Sequence, residues 1–166
     1  MNIVLVRVDN RLVHGQIIEA WIPFTKAACL AVVDDEVAED FFRTTVIKMA
    51  VPREIEVIVS RVEEFAALYL PKPEKRPTIV LFSNIEDVRR ALKSGFNIGK
   101  LNIGNLYTEE CSLKCSPCVL LSETDIRTLR DLLNSGIEID VRRVPREKPV
   151  NLRELIDAVN GESAKR

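Results

Sequence analysis

The chain has 166 residues and a mass of 18.8 kDa, a length that fits one domain with a sizeable core. Its hydrophobic fraction of 46% and charged fraction of 30% are those of a soluble globular protein, and no segment reaches the roughly 18 apolar residues of a membrane span, so the disordered and transmembrane classes are set aside. Lys plus Arg total 24 against 25 Asp plus Glu, a net charge of −1 that offers nucleic acid or anionic lipid no global attraction.

Short runs of Val, Ile and Leu alternate with longer amphipathic stretches, the rhythm of βαβ units. The first strand is expected over residues 2–8; its start lacks a basic n-region and a cleavage site, which points to the cytoplasm. The polar loop Asp9-Asn10-Arg11 follows. A helix begins near Gly15 and buries Ile17, Ile18, Trp21 and Ile22. Residues 29–33 read as strand two, and Asp34-Asp35-Glu36 cap and charge one helix running to about Ala50. Strand three spans 55–59, a helix 61–69, a proline-rich solvated connection 71–77, and strand four 78–82. Ser83-Asn84 opens a helix that Gly95 closes, and 100–103 is a short fifth strand. Residues 104–117 are the least regular, and 119–121 read as a further strand. Ser122 to Asp125 cap a helix to Asn134 with Gly136 as its stop, 137–144 is the last strand, and a closing helix runs from Asn151 through Val159.

The expected fold is therefore an α/β, open, mostly parallel, doubly wound sheet of about seven strands, Rossmann-like, with helices on both faces. Residues 1–160 form its single domain and 161–166 a frayed tail. Ligands of such sheets bind beyond the carboxyl ends of the strands, on the loops at 9–15, 34–35 and 82–84.

His14 is the only histidine and falls in the loop after strand one. A lone histidine is more often an ordinary surface or hydrogen-bonded residue, but this one stands at a strand-to-helix turn, where free backbone N–H groups can bind an anion. Arg7 and Arg11 flank it with permanently charged donors suited to phosphate oxygens. Asp9 can accept from one ring nitrogen and leave the other free as a nucleophile. A neutral imidazole can attack a phosphoryl group and later release it, and fixed donors stabilise the charge spread over the transferring oxygens. Taken singly, the arginines read as solvated charges and Asp9 as a turn residue; their joint occurrence favours a phosphohistidine.

The run Arg7-Val8-Asp9-Asn10-Arg11-Leu12-Val13-His14-Gly15-Gln16 resembles the active-site signature of the IIB subunit of the mannose/fructose/sorbose family of the bacterial phosphoenolpyruvate-dependent sugar phosphotransferase system. Residues 32–38, Lys48-Met49-Ala50, the 141–145 strand and the closing helix resemble the family as well. The resemblance implies a phosphotransferase in which His14, through Nδ1, accepts a phosphoryl group from a phosphohistidine on a IIA protein. It then passes the group to a sugar brought by the membrane IIC and IID permease subunits, at which the protein would be peripherally associated. Asp9 and Arg11 match the supporting catalytic positions, and Asn10 stands where many relatives have an acidic or another small polar residue. Arg7, Asn10, Gly15 and Gln16 are assigned to phosphate binding, with Ser83 added if strand four neighbours strand one, although Ser83 also reads as a helix N-cap. The expected intermediate is a covalent phosphate on His14, with no metal or other cofactor, no nucleic acid partner, and a homo-oligomer admitted.

Four cysteines are too few for a disulfide scaffold. Cys111, Cys115 and Cys118 have a spacing superficially like a three-thiolate iron–sulfur clamp, so a cysteine-based metal or redox protein stands as an alternative. A second alternative is a regulatory module in which the same histidine is phosphorylated without sugar transport. Asp34 and Asp35 read as a helix start rather than metal ligands. A nucleotide site is disfavoured, since no strand is followed by a Gly-rich phosphate loop.

Overall fold

Period-two alternation within the strands divides the core into two layers. In the computed structural model, which describes residues 1–69 and 75–163, the strands are β1 (Asn2–Asp9), β2 (Cys29–Val33), β3 (Glu56–Ser60), β4 (Pro77–Phe82), β5 (Lys100–Asn105), β6 (Leu113–Ser116), β7 (Val119–Leu121), β8 (Glu138–Val141) and β9 (Val150–Asn151). The helices are α1 (Ile22–Thr25), α2 (Asp35–Glu39), α3 (Phe41–Ala50), α4 (Val62–Tyr69), α5 (Ile85–Lys93), α6 (Glu123–Asn134) and α7 (Leu152–Ser163), with a π-helical segment, Gln16–Trp21, running directly into α1. Seven strands form one sheet in the order β3-β2-β4-β1-β5-β8-β9. All its pairings are parallel except β8 with the edge strand β9. This is the open α/β sheet expected from the sequence.

Ala31 and Val33 of β2, with Val80 and Phe82 of β4, face a layer built from α4, α5, α6 and α7. Leu30, Val32, Ile79 and Leu81 face the opposite layer, where Ile17, Trp21 and Ile22 of the first helical segment and Val37 of α2 pack. β1 lies between β4 and β5, so the loop leaving its carboxyl end is flanked by the ends of two neighbouring strands. Among the described residues no helix is long and apolar enough to cross a membrane.

Several elements differ from their sequence reading for identifiable reasons. The helix expected from 34 to 50 breaks at Asp40, which takes an extended conformation (φ −101°) and accepts from Arg43 N to cap α3, just as Asp34 caps α2. The first helix opens with a π turn: Ile22 N–H donates to Ile17 O, and winding returns to α at Pro23, which has no N–H to give. The irregular stretch after Gly104 contains β6, and residues 119–121 pair with it in an antiparallel hairpin rather than joining the main sheet. The last long strand ends at Val141, because the Arg142 carbonyl turns inward to accept from Arg7 Nη1 and Asn102 Nδ2. β9 takes the seventh place in the sheet, and α7 runs on to Ser163. Residues 71–74 of the proline-rich connection and residues 164–166 of the tail lie outside the described residues.

Candidate functional site

Arg7 and Asp9 are two apart in β1 and therefore share a face of the sheet, and both are completely buried. Their opposite number is β5. Arg7 is paired with Asn102 and Val8 with Ile103, but Asp9 is paired with Asn105, so the register slips by one at Gly104. That irregularity re-aims Asn105, which alternation would have sent to the other face, toward Asp9. It also brings Gly104 under the Arg7 side chain, where a Cβ would stand 1.7 Å from Arg7 Cζ. Only glycine permits that approach.

Asp9 Oδ2 is the point on which the site converges. It accepts from Arg7 Nε at 3.1 Å, Arg7 Nη2 at 2.9 Å, Asn105 Nδ2 at 2.9 Å and His14 Nε2 at 2.8 Å. Oδ1 accepts from the backbone N–H of Arg11 at 3.1 Å. Burial by itself would push the Asp9 carboxyl up, but the His14 hydrogen bond, the Arg7 charge and the Asn105 amide outweigh it and hold the group below its ordinary 3.8. Asp9 is thus an ionised carboxylate, which can only accept. The proton on the shared line must then sit on His14 Nε2, and in the neutral tautomer with that proton the lone pair is at Nδ1. Among the described residues no protein atom bonds Nδ1, and the His14 side chain is 9% exposed.

Arg7 spends all its N–H groups inside the protein. Besides the two bonds to Asp9, Nη1 donates to Asn102 Oδ1 at 2.5 Å and to Arg142 O at 3.1 Å, and Nη2 donates to Gln16 Oε1 at 3.2 Å. Burial draws its pKa down from the ordinary value more than Asp9, Asp140 and Glu147 raise it, yet a guanidinium stays charged at any cellular pH. Two such groups lie over the Trp21 ring, Arg7 Cζ at 5.5 Å and Arg142 Cζ at 5.3 Å from its centroid, and the ring's Nε1 donates to Arg143 O at 2.9 Å. The assignment of Arg7 to phosphate binding is therefore corrected. No donor is left to meet a phosphate, and the residue positions Asp9 instead.

The loop itself is wound tightly. Leu12 N donates to Asp9 O at 2.9 Å, and Leu12 adopts a left-handed φ of 53°, a conformation that costs an L residue about 1–2 kcal/mol. Burial of its side chain against the Ile17 and Trp21 layer offsets that cost. His14 O then accepts from Ile17 N and Ile18 N, so the histidine stands where the helical segment begins.

The remaining expected residues divide between two settings. Arg11 is exposed, and its guanidinium has no partner among the described residues. Asn10 is exposed, with its backbone N–H tied to Asn105 O at 3.0 Å. Gly15 has an ordinary helical φ of −51°, and a Cβ there would meet nothing within 4 Å. Gln16 is turned inward through Oε1, which accepts from Arg7 and from Asn105. Ser83 follows Phe82, the residue paired with Val8, so the condition that β4 neighbour β1 is met. The N-cap of α5 is Asn84 rather than Ser83.

Sequence reasoning missed Asn102, Gly104, Asn105 and Arg142. The available signal was two polar residues and a glycine interrupting Leu101 and Ile103 in a strand that the topology places next to β1. The cysteines do not converge. None of the four is in a disulfide, Cys29 is buried in β2 while Cys111 is exposed, and no group among the described residues could hold a metal ion. Burial, with the nearby Cys111, pushes the Cys115 thiol up to about 11.

Residues 3–166 match the family model described as the PTS system sorbose subfamily IIB component. The chain is 33% identical over 162 residues to the sorbose-specific EIIB component of Lacticaseibacillus casei, covering 97% of this chain and 99% of that protein. It is 31% identical to the mannose-specific EIIAB component of Escherichia coli K12, covering 96% of this chain and 50% of that longer protein. The crystal structure of the IIB domain of the sorbose permease from Klebsiella pneumoniae superposes with a TM-score of 0.85 at 31% identity, covering 97% of this chain and 98% of that one.

Proposed function

Because the chain belongs to the sorbose-subfamily IIB components of the sugar phosphotransferase system, we propose that its part in sugar phosphotransfer is that of a phosphocarrier whose acceptor atom is His14 Nδ1. The observation that supports this reading most directly is the 2.8 Å bond between His14 Nε2 and the buried Asp9 carboxylate, which occupies that nitrogen and leaves Nδ1 without a protein partner among the described residues. The donor is a phosphohistidine on a IIA-type protein. The Nδ1 lone pair attacks phosphorus, the donor's N–P bond breaks, and the donor ring leaves with the electron pair. Since Nε2 keeps its proton, the phosphorylated ring of His14 is cationic, and the carboxylate behind it stabilises that charge.

In the second step a sugar hydroxyl attacks phosphorus and the P–Nδ1 bond breaks. The returning electron pair at Nδ1 takes up the hydroxyl proton, and Asp9 stabilises the imidazolium so formed. Arg11, exposed and unengaged near the histidine in the loop, neutralises the transferring oxygens together with the loop amides of Val13 to Gly15, and Ser83 stands at the neighbouring strand end. No step calls on a metal or cofactor. The sugar is of the mannose, fructose and sorbose class and is presented by membrane permease subunits, at which this protein works from the cytoplasmic side.

The test is intact-mass measurement after incubation with phosphoenolpyruvate, the general phosphotransferase proteins and a mannose-type IIA protein. Wild type should gain one acid-labile phosphoryl group, His14→Ala should gain none while keeping its fold, and Arg11→Ala should gain it slowly. Stable phosphorylation of His14→Ala would refute the assignment.

A further inference from the structure

Asn102 is the register partner of Arg7, and Asp140 that of Asn102, so the three side chains share one face of the sheet. β1 has β5 as a neighbour only from Arg7 onward. Where the two strands part, a cavity of about 400 Å³ lies between the first half of β1, Phe24 of α1, residues 97–100 and the Asp140 and Arg142 side chains. Neither Asp9 nor His14 lines it. Its wall holds two polar atoms without a hydrogen-bond partner among the described residues, Asp140 Oδ2 and Arg142 Nε. Asp140 is only 3% exposed, and its other oxygen, Oδ1, accepts from Asn102 Nδ2 at 2.7 Å. Lys100 Nζ stands 3.5 Å from Oδ2 but donates to Glu138 Oε1 at 2.7 Å, and Arg142 Nε stands 3.5 Å from Oδ1. A buried donor or acceptor left unmade costs about 1–3 kcal/mol, so an orphaned pair in a cavity wall calls for a partner from within the cavity.

We propose that this cavity is a binding site for a small neutral polyol, one hydroxyl of which donates to Asp140 Oδ2 and accepts from Arg142 Nε. A hydroxyl is a group that does both at once. A cationic ligand would meet Lys100 and Arg142, an anionic one would meet Asp140, and neither would satisfy both orphaned atoms. Phe24, 62% exposed on the wall, offers an aromatic surface to the C–H groups of such a ligand. The exposed Asn97 amide lies within reach of further hydroxyls, and the half-exposed Lys100 side chain is the part of the wall that moves to admit the ligand. The site is separate from the histidine yet joined to it: Asn102, which donates to Asp140, accepts from Arg7, and Arg7 donates to the Asp9 carboxylate that holds His14. The inference does not depend on the reading of His14 as phosphoryl acceptor.

The test is a proton–nitrogen NMR titration of the unphosphorylated protein with sorbitol, with glucamine and gluconate as its cationic and anionic counterparts, following the Asn97 and Asn102 side-chain amides and the Arg142 Nε–H. Sorbitol should move these signals saturably with a Kd on the order of 1 mM, and both charged probes should bind at least about tenfold more weakly. Asp140→Asn should weaken sorbitol binding about tenfold and Phe24→Ala about threefold, with thermal melting as the check that each variant is folded. Phe24→Ala removes an exposed side chain, so it and the probe series decide the matter if Asp140→Asn does not fold. The absence of a saturable sorbitol shift at concentrations about a hundredfold above that Kd would overturn the proposal. So would shifts confined to residues 9–16, tighter binding of glucamine or gluconate than of sorbitol, or unaltered binding in the folded variants.

Discussion

Two segments carry the residues that look most reactive in the linear chain: the loop from Asp9 to Gln16 and the hairpin region from Cys111 to Cys118. They end in opposite conditions. In the first, groups from β1, β5 and the loop meet on one carboxylate oxygen, and Gln16 of the π-helical segment accepts from two of the donors, Arg7 and Asn105. In the second, Cys111 is exposed, Cys115 is held as a thiol by burial, and the hairpin that bears them lies beside the main sheet, joined to it by a bridge between Val119 and Leu106. Reactivity follows from convergence of side chains from separate elements on a rigid strand end. Spacing along one hairpin does not supply it.

The contrast is broken most severely by removing what fixes the carboxylate. Arg7→Leu leaves Asp9 buried and unpaired, and equilibrium urea unfolding should show a loss of about 3–5 kcal/mol. Gly104→Ala forces a methyl group into the Arg7 guanidinium, and the same measurement should show a loss of about 1–3 kcal/mol, with phosphoryl acceptance slowed because Asp9 loses its support. Asp9→Ala should cut the rate of acceptance even in molecules that remain folded.

A pH titration sharpens the same point. The folded Asp9 carboxyl lies below its ordinary 3.8, so its contribution to stability is fully present above that value and is lost as pH falls through the folded value. The stability gap between wild type and Asp9→Ala should be level from neutral pH down to the ordinary carboxyl range and narrow below it. On the other side of the comparison, Cys111→Ser should change stability by no more than about 0.5 kcal/mol and leave phosphorylation untouched. A thiol reagent should label Cys111 well before Cys115.

The same difference explains what could be read from the chain. The strand sequence and the position of His14 after β1 follow from local patterns: continuous apolar runs, a polar loop, then helical spacing. Asp9 was legible as the partner of His14 because both lie in one short loop. Arg7 was misassigned, although a charged residue inside a continuous apolar run and two residues before Asp9 was bound to be buried on the same face. Asn102 and Asn105 act across 95 and 96 residues of chain, and their meeting with Arg7 and Asp9 depends on strand order and on a one-residue slip at Gly104 that no local signal announces. The helix break at Asp40 was missed because an aspartate within an amphipathic stretch serves equally as an interior residue or as a cap. That break frees α3 from α2, and none of the residues of α3 is buried.

The central claim is that Asp9 holds the Nε2 proton of His14 and thereby makes Nδ1 the acceptor. Nitrogen-15 NMR of the imidazole, recorded before and after phosphorylation by a IIA protein, tests it directly. The result expected is an Nε2–H tautomer in the free protein and phosphorus coupled to Nδ1 in the phosphorylated one, and a phosphate on Nε2 would contradict the account.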